Sequence, residues 1–368
     1  MWTIHPNTNW EELRERFAWL RALEGVPQDP HFHAEGDVAV HTRLVLEALL
    51  ELEGFADLPP EQQQLLIAAA LLHDVEKVST PLREATGRIS SPGHARKGEY
   101  TARRLLYRSI PAPFATKEAV AKLVRHHGLP LWIFEKPDPR KALFKASLEV
   151  DLSLLVLLAK ADVLGRRCAD RAELYYRVEL FRAFAEEQGC WRGPRRFASD
   201  LGRYRYFHRE AAEPDYAPYE GDCFEVLLLS ALPGTGKDHF LRQHYADWPV
   251  VSLDALRRKQ RIAPTDKRGN GRVIQQVKEL ARTYLRRRQS FVWNATNISR
   301  QLRAGLIELF QSYGARSRIV YLEVPYTQLL RQNREREFPV PDKVLERMID
   351  RLEVPVAWEA PTVEWRVY

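Results

Sequence analysis

The chain has 368 residues, of which 45% are hydrophobic and 29% charged, and these proportions exclude a disordered chain, a collagen-like repeat and a coiled coil. Its length exceeds what one hydrophobic core usually fills, so it predicts two domains or one large one. The net charge of +7 is uneven, because basic side chains outnumber acidic ones in residues 222–368 and nearly balance them in residues 1–221. Such an excess suits either a polyanionic partner or a solvated surface.

The three cysteines, Cys168, Cys190 and Cys223, are far apart and form no CxxC pair. This spacing predicts a reducing compartment and argues against a disulfide scaffold or a zinc ribbon. The N-terminal segment lacks the basic-then-apolar order of a signal peptide, and no apolar run reaches the roughly 18 residues of a membrane span. We therefore predict a cytoplasmic protein without a membrane partner.

The first half of the chain predicts helices throughout. Apolar residues recur at helical spacing in seven segments that proline and glycine separate. The segments are 10–23, 38–52, 61–77, 98–109, 117–126, 148–165 and 171–188. They predict an all-α domain over residues 1–192, followed by a linker or boundary at 193–221 that is rich in Arg, Tyr and Pro.

The second half predicts alternating strands and helices. Short apolar runs at 224–229, 250–253, 291–293 and 318–324 are separated by amphipathic helical segments. That alternation is typical of a parallel sheet covered by helices. The predicted fold class is therefore multidomain, α and α/β, with the α/β domain over residues 222–368.

A glycine-bearing loop with the sequence SALPGTGKD occupies residues 230–238, between a predicted strand and a helix. Backbone N–H groups of such a loop can wrap a triphosphate, and Lys237 can reach the outer phosphates. Asp238 stands where a Ser or Thr hydroxyl normally ligates Mg²⁺, so we expect its carboxylate to bind that ion directly or through water. The predicted nucleotide- and Mg²⁺-binding residues are Gly234, Thr235, Gly236, Lys237 and Asp238.

Three further groups of polar residues follow this glycine-bearing loop, which we call the P-loop. Asp254 and Arg257 come one helical turn apart after the second strand, where a carboxylate can accept the proton of an attacking hydroxyl and a guanidinium can hold a phosphate. The third strand ends in Trp293-Asn294-Ala295-Thr296-Asn297. An arginine-rich segment with Arg334 and Arg336 then precedes Val340-Pro341, placed like a lid that could neutralise charge on a transferred phosphoryl group.

In chain order, residues 224–352 resemble the kinase domain of the phage-type 5′-hydroxyl polynucleotide kinases, with a P-loop, S-x-D-x-x-R, [DN]-x-T-N and an arginine lid ahead of V-P. The resemblance implies that Lys237 and Asp238 serve ATP and Mg²⁺, and that Asp254 is the general base for the 5′-OH. It further implies that Arg257 contacts the 3′-side phosphate of the terminal nucleotide. The remaining assignments are Arg334 or Arg336 as the clamp on the ATP phosphates, and Asn294 and Asn297 as nucleic-acid contacts.

Histidines and aspartates of the first half lie at or near the ends of predicted helices. His73 and Asp74 follow an almost wholly apolar helix, which would bury an imidazole and a carboxylate. Buried ionisable groups need partners, and a divalent metal can satisfy several imidazoles and carboxylates at once. The candidate metal ligands are His41, His73, Asp74, His94, His126, His127 and Asp162.

The order H…HD…H…H…D resembles the HD-domain phosphohydrolases over residues 25–166, especially the HD domain attached to bacterial tRNA nucleotidyltransferases. The resemblance implies a first metal, with Asp74 bridging to a second and Lys77 near the substrate phosphate. HD sites use Mn²⁺, Ni²⁺, Co²⁺ or Mg²⁺, and the ligand types do not choose among them. By this resemblance His41, His73, Asp74 and Asp162 hold the first metal, and His94 with His126 or His127, of which we prefer His127, holds the second.

Together the two halves resemble bacterial end-healing fusions of an HD phosphoesterase with a polynucleotide kinase. The resemblance implies hydrolysis of 2′,3′-cyclic phosphate and of 2′- or 3′-phosphate ends, and phosphorylation of 5′-OH ends with ATP or another NTP and Mg²⁺. The implied partners are RNA or DNA ends and, after healing, a separate RNA ligase. Without a recognisable base-reading motif, sequence specificity is not expected.

Two other interpretations stay open at this stage. In one, a kinase of nucleosides or small metabolites is fused to a nucleotide phosphohydrolase. In the other, the HD half is a non-catalytic RNA-binding or regulatory module. Phosphate transfer to an oligonucleotide or to a free nucleoside separates the first from end healing, and a metal at His73 and Asp74 argues against the second.

Overall fold

The computed structural model describes residues 3–4, 9–209, 213–219, 221, 223–263 and 265–368. The chain divides into two compact units, Met1–Arg196 and Phe197–Tyr368. The N-terminal unit is helical, and the C-terminal unit carries a five-stranded parallel sheet. This confirms the predicted fold class of an all-α domain followed by an α/β domain.

The N-terminal unit contains ten α-helices within the described residues. They are α1 (Trp10–Arg16), α2 (Ala18–Arg21), α3 (Val38–Glu51), α4 (Pro60–Leu72), α5 (His94–Arg104), α6 (Phe114–His126), α7 (Leu129–Trp132), α8 (Pro139–Ser147), α9 (Leu152–Leu164) and α10 (Arg171–Glu187). Short 3₁₀ turns lie at Val75–Val78 and Ile133–Glu135, and a π-helical turn, Leu105–Ser109, continues α5. Strands β1 (Leu82–Arg83) and β2 (Ile89–Ser90) form a small antiparallel hairpin.

Capping explains where several predicted helices begin and break. Asp37 accepts a hydrogen bond from the backbone N–H of Val40 and starts α3, as an N-cap carboxylate does. The predicted helix 148–165 begins later, because Asp151 caps α9 through the N–H of Ser153. The predicted helix 10–23 is interrupted at Phe17, whose backbone is extended.

Helix α9 is the centre of the N-terminal unit and contacts α3, α4, α6, α7 and α10. Its side chains are mostly apolar on all sides, as expected of a helix surrounded by others. Gly165, directly after α9, lies against α3: a Cβ there would fall 2.8 Å from the backbone nitrogen of Val45. The absence of a side chain at this glycine therefore lets the end of α9 approach α3 closely.

The C-terminal unit is built on strands β3 (Glu225–Ala231), β4 (Val250–Ser252), β5 (Phe291–Asn294), β6 (Arg316–Glu323) and β7 (Thr362–Val367). All pairs are parallel, in the order β4-β5-β3-β6-β7. Ser252 at the end of β4 pairs with Asn294 at the end of β5. The register thus brings the segments after β3, β4 and β5 to the same carboxyl edge.

Helices α11 (Asp200–His208), α12 (Lys237–His244), α13 (Leu253–Lys259), α14 (Lys267–Arg286), α15 (Arg300–Ser312), α16 (Tyr326–Glu335) and α17 (Asp342–Asp350), with a 3₁₀ turn at Ala357–Glu359, complete this unit. The predicted linker 193–221, of which 210–212 and 220 lie outside the described residues, contains α11. Arg203 of α11 donates hydrogen bonds to the carbonyls of Ala357 and Pro361. This part of the segment is therefore packed in the C-terminal unit.

Among the helices of the described residues, none is both long and apolar enough to cross a membrane.

Candidate metal centre and candidate kinase site

Four histidines and two aspartates from five helices or helix ends meet inside the N-terminal unit. Asp74, directly after α4, lies at the centre: its Oδ2 is 3.2 Å from His73 Nε2 and 3.8 Å from His41 Nε2, and its Oδ1 is 3.3 Å from His94 Nε2. His127 Nε2 lies 3.9 Å from the same Oδ1. Two overlapping groups around Asp74 could each hold a cation, His41 with His73 and Asp74, and Asp74 with His94 and His127, and a third group of His33, Glu35 and His41 adjoins them. Asp74 is shared between the first two groups, as a bridging ligand would be.

Asp162 of α9 lies beside the first group. Its Oδ1 lies 3.1 Å from His41 Nε2, and the close approach of α9 to α3 at Gly165 makes this contact possible. The structure therefore brings together the predicted ligands of the first metal and, around Asp74, those of a second.

Backbone carbonyls orient three of the histidines. In His73, His94 and His127 the Nδ1 atom lies 2.7 to 2.8 Å from the carbonyl three residues earlier, that of Ala70, Ser91 or Val124. A hydrogen bond from Nδ1–H fixes the tautomer whose Nε2 lone pair is free. Each of these Nε2 atoms faces Asp74, which is the arrangement metal-binding imidazoles need.

The electrostatics of the centre favour ionised carboxylates and differ between its imidazoles: burial lowers the pKa of His73, but the neighbouring Asp74 outweighs burial and raises it. Burial, together with the neighbouring His94 and His73, lowers the pKa of His127 to about 3. Burial opposes ionisation of Asp74, but Lys77 and His73 hold its pKa well below the usual value. Metal ligands are bound in these deprotonated forms.

Buried atoms without partners test whether a metal fits. Among the described residues, His73 Nε2 and Asp74 Oδ1 are buried and have no hydrogen-bond partner. Such orphaned atoms are rare in folded proteins and call for an explanation such as an ion. With nitrogen and carboxylate donors around them, a divalent cation fits both.

The two adjacent histidines after α6 have different surroundings. His127 faces His94, with the Nε2 atoms 3.3 Å apart, whereas His126 Nε2 lies 3.3 Å from Glu149. The described residues that could hold a metal include His127 and not His126. The structure thus places His127, the preferred of the two predicted ligands, in the group and His126 outside it, because a one-residue step along a helix turns a side chain by about 100°.

Lys77, which the resemblance placed near the substrate phosphate, lies at the centre. Its Nζ is 2.8 Å from Asp74 Oδ2 and donates to Gln28 Oε1 at 2.8 Å. Arg166, one helical turn after Asp162, donates to both oxygens of that carboxylate. Arg166 belongs to no sequence motif, and only its spacing from Asp162, which is that of a helical ion pair, could have indicated it.

The P-loop follows β3 as predicted from its sequence. Gly234 and Gly236 adopt φ values of 87° and 86°, which favour glycine. A Cβ on Gly234 would lie 3.2 Å from the backbone nitrogen of Asn333 and from the carbonyl of Leu329. Helix α16 therefore packs directly on the loop.

The side chains of the P-loop have distinct surroundings. Lys237 donates to the carbonyl of Leu232 at 2.9 Å, and burial together with Arg336 lowers its pKa to about 8. Thr235 is buried and its hydroxyl donates to the same carbonyl. Because its hydroxyl is already bonded, Thr235 offers a phosphate only its backbone N–H. The ammonium group of Lys237 lies at the start of α12.

Polar side chains after the neighbouring strands meet at the carboxyl edge. Asn294 donates from its amide nitrogen to Asp238 Oδ1 at 3.1 Å, which places it with the predicted Mg²⁺ ligand. Asp254 and Arg257 of α13 form an ion pair, and burial lowers the pKa of Arg257. The structure thus puts Asn294 beside the nucleotide site, although the sequence analysis assigned it to nucleic acid.

Asn297 has a structural position. It is 6% exposed, with φ 44°, and its amide nitrogen donates to the carbonyl of Leu229 at 2.6 Å. Its own carbonyl accepts hydrogen bonds from Ser230 and the buried Arg303. These bonds tie the segment after β5 to β3, and the side chain of Asn297, which was predicted to contact nucleic acid, points into the protein.

The lid lies between α16 and α17. Asn333, buried at the end of α16, donates to the carbonyl of Val340 at 2.7 Å and accepts from its N–H at 3.1 Å, so one side chain closes the turn. Within that turn Arg336 is close enough to lower the pKa of Lys237, whereas Arg334 is exposed and lies 3.9 Å from Asp342. The structure therefore separates the two arginines that the sequence left as alternatives.

Comparisons with known proteins find a matching family for each of the two domains. A model of the HD domain family matches residues 38–167, and one of an AAA domain family matches residues 226–355. Proteins described as multifunctional CCA proteins match at 38% identity over 128 residues in Halorhodospira halophila and 37% over 117 residues in Methylococcus capsulatus. The one from Pasteurella multocida matches at 30% over 130 residues.

These relatives are similar over part of their length only. The matches take in 33%, 32% and 34% of this chain and 28%, 25% and 29% of the CCA proteins. A solved structure from Chloroflexus aurantiacus matches at 14% identity and a TM-score of 0.33, over 40% of this chain and 89% of its own. The chain therefore joins a helical domain that matches the HD family and resembles the HD region of the CCA proteins to an α/β domain that contains a P-loop and matches an AAA domain family.

Proposed function

We propose that the protein heals broken nucleic-acid ends. In this proposal the HD domain hydrolyses 2′,3′-cyclic phosphates and the 2′- or 3′-phosphates that remain, and the P-loop domain phosphorylates 5′-OH ends. The observation that carries it is the pairing, in one chain, of a histidine–aspartate centre for divalent metals with a P-loop site bearing the Asp254–Arg257 ion pair. Cleavage of RNA by transesterification leaves these two kinds of end, and one chain would repair both.

The residues of the HD centre suit phosphoester hydrolysis. Bound divalent metals supply an activated water and stabilise charge on the phosphate oxygens. His41, His73, Asp74 and Asp162 would hold one ion, and His94 and His127 with Asp74 the other. In this proposal Lys77, 2.8 Å from Asp74, contacts a phosphate oxygen, and the ligand types leave Mn²⁺, Ni²⁺, Co²⁺ and Mg²⁺ as equal candidates.

The residues of the C-terminal unit suit phosphoryl transfer to a hydroxyl. In the proposed reaction Asp254 takes the proton of the 5′-OH, a bond forms from that oxygen to the γ-phosphorus of ATP, and the bond to the β-phosphate oxygen breaks to release ADP. The P-loop amides and Lys237 hold the phosphates, and Asp238 with Asn294 beside it holds Mg²⁺. When the substrate binds, Arg257 exchanges its ion pair with Asp254 for one with the neighbouring phosphate of the substrate.

One substrate tests both halves. An oligonucleotide with a 5′-OH and a 2′,3′-cyclic phosphate is incubated with ATP and a panel of divalent metals, and both ends of the product are analysed. The proposal expects a 5′-phosphate and a 2′,3′-diol, which are the ends that a separate RNA ligase joins. Efficient transfer to a free nucleoside without transfer to the oligonucleotide would instead indicate a small-molecule kinase. RNA and DNA versions of the substrate give the preference between them.

The two lid arginines should differ in effect. We expect Arg336→Ala to lower kcat/KM for ATP about 10- to 100-fold, because a charge-assisted hydrogen bond contributes about 1.5–3 kcal/mol. Arg334→Ala should change it less than about twofold, since exposed ion pairs contribute little. Steady-state kinase assays on the two variants check this, and a larger loss from Arg334→Ala would reverse the assignment.

An aromatic side chain of the lid lies beside helix α13, which carries Asp254 and Arg257. The guanidinium of Arg258 lies over the ring of Phe338, 5.1 Å from its centroid, and Phe338 is 51% exposed. Nucleobases stack on aromatic rings for about 1–3 kcal/mol each. We expect Phe338→Ala to raise KM for a 5′-OH oligonucleotide about 5- to 100-fold while KM for ATP stays unchanged.

A substrate lacking its 5′-terminal base provides the control for this prediction. Wild type and Phe338→Ala should phosphorylate such an abasic end equally well, and Leu302→Ala, at an exposed apolar position of α15, should behave as wild type. An equal loss of Phe338→Ala on the abasic substrate would mean that Phe338 acts on the lid and not on the base.

A further inference from the structure

Glu35, which no part of the sequence analysis ranked as a site residue, is buried against one side of the metal centre. Its side chain is 0% exposed, and its Oε1 is within 2.7 Å of His33 Nδ1 and 3.0 Å of His41 Nδ1. Its Oε2 accepts a hydrogen bond of 2.8 Å from the backbone N–H of Arg167. One carboxylate thus contacts the candidate ligand His41 and the chain just beyond α9.

His41 differs from the other candidate histidines in its orientation. The other three have their Nδ1 atoms on backbone carbonyls. The buried His41 Nδ1 instead lies 3.0 Å from Glu35 Oε1, which is the acceptor placed to take its proton. A carboxylate in this position fixes the imidazole orientation and raises its basicity toward a metal.

The loop that carries Glu35 is tied to the segment after α9 by two hydrogen bonds. Besides the bond from Arg167 N–H to Glu35, the N–H of Ala34 donates to the carbonyl of Arg167 at 3.0 Å. Asp162 lies on α9, one turn before this point. These two hydrogen bonds therefore link the helix of His41 with the helix of Asp162. The side chains of these two candidate ligands lie 3.1 Å apart.

We infer that Glu35 is the positioning residue of the first metal: it orients His41 and clamps the end of α9, so that His41 Nε2 and Asp162 face one ion. The inference rests on the proposed metal-dependent function of the HD domain. It concerns the affinity for the metal, which is measured without any substrate. A failure of the end-healing proposal would therefore leave it testable.

The test is Mn²⁺ binding to the full-length protein without nucleotide, followed by the electron paramagnetic resonance signal of free Mn²⁺. His41→Ala identifies the first site as the one that it weakens. Glu35→Gln should weaken that same site about 10- to 100-fold, the range for residues that support a metal ligand, and leave the site of His94 and His127 at its wild-type affinity. Glu173→Gln, an exposed carboxylate paired with Arg177, should match wild type.

Two further measurements separate positioning from general packing. The unfolding midpoint in EDTA should be the same for Glu35→Gln and wild type, and ¹⁵N spectra of labelled histidine should show a fixed Nδ1–H tautomer of His41 only in wild type. If Glu35→Gln fails to fold, Glu35→Asp keeps the charge but withdraws it by one methylene, and it should weaken the first site alone.

Three results would overturn the inference. One is unchanged Mn²⁺ affinity in Glu35→Gln. Another is equal weakening of both sites together with a lower midpoint in EDTA, which would make Glu35 a packing residue. The third is loss of a separate Mn²⁺ while the site defined by His41→Ala stays tight, which would make Glu35 and His33 direct ligands of a different ion.

Discussion

Asp74→Asn should abolish phosphoester hydrolysis while the kinase reaction continues at the wild-type rate. Asp74 is shared by both groups of candidate ligands, so the amide removes one charged ligand from each metal at once. Residues that merely support a ligand already cost 10- to 100-fold, and we expect a loss of at least about 100-fold. Hydrolysis of a 2′,3′-cyclic phosphate end and transfer of labelled γ-phosphate to a 5′-OH end measure the two reactions separately.

The control for this variant is Asp57→Asn, an exposed carboxylate in the loop before α4, which should hydrolyse at the wild-type rate. Metal analysis should show less bound cation in Asp74→Asn than in wild type. Full hydrolysis by Asp74→Asn would rule out the histidine–aspartate centre as the site of this reaction. In that case the HD half would be left as a binding or regulatory module.

Asp254→Asn should do the reverse and remove kinase activity while hydrolysis persists. An amide keeps the shape of the side chain but cannot accept the proton of the 5′-OH, and general-base catalysis contributes about 10²- to 10⁴-fold. The loss should lie in kcat, with KM for ATP nearly unchanged, because Asp254 is on α13 and the phosphates bind at the P-loop. A rate assay at saturating ATP and oligonucleotide checks this.

Asp247→Asn, at an exposed position after α12, is the matched control and should retain full activity. Lys237→Ala, by contrast, should lose both kcat and ATP binding, since Lys237 is the phosphate-binding lysine of the loop. A kinase rate within about threefold of wild type in Asp254→Asn would mean that another group takes the proton. Loss of both activities from either Asp74→Asn or Asp254→Asn would contradict independent active sites.

Much of the fold follows from local patterns in the sequence. Helical periodicity predicted α3, α6 and α10 to within a few residues, because their apolar faces are regular. The strand β7 was missed: Thr362–Val367 alternates too weakly, with its residues half-buried or exposed at a sheet edge. Helix α8 was missed as well, because its N-cap Asp138 and following proline resemble a turn.

The residue types of the two sites could also be predicted from the sequence. The P-loop is a contiguous segment between a strand and a helix, so its local order determines its shape. The adjacent pair His73 and Asp74 after an apolar helix similarly predicted a buried polar group that needs a partner. In both cases the decisive information lies within a few residues of chain.

Two things could not be predicted from the sequence. One is which of two nearby residues enters a site, and the other is which residues far apart in the chain come into contact. His126 and His127 differ only in rotation about α6, and packing against His94 selects His127. Arg334 and Arg336 differ only in where α16 ends, and Asn333 closes the turn that carries Arg336 toward Lys237. Asn297 matched a motif, yet the left-handed backbone turns its amide into the protein.

Glu35 gives the clearest division between the two kinds of information. By itself the sequence determined the two domain types, the P-loop and the set of metal-binding residue types, because each depends on periodicity or on adjacent residues. Only the tertiary structure decided that Glu35, beside His41, would accept a hydrogen bond from the backbone N–H of Arg167, 132 residues away. Such a contact arises from the packing of α3 against α9, and no local pattern encodes which distant side chains that packing brings within hydrogen-bonding distance.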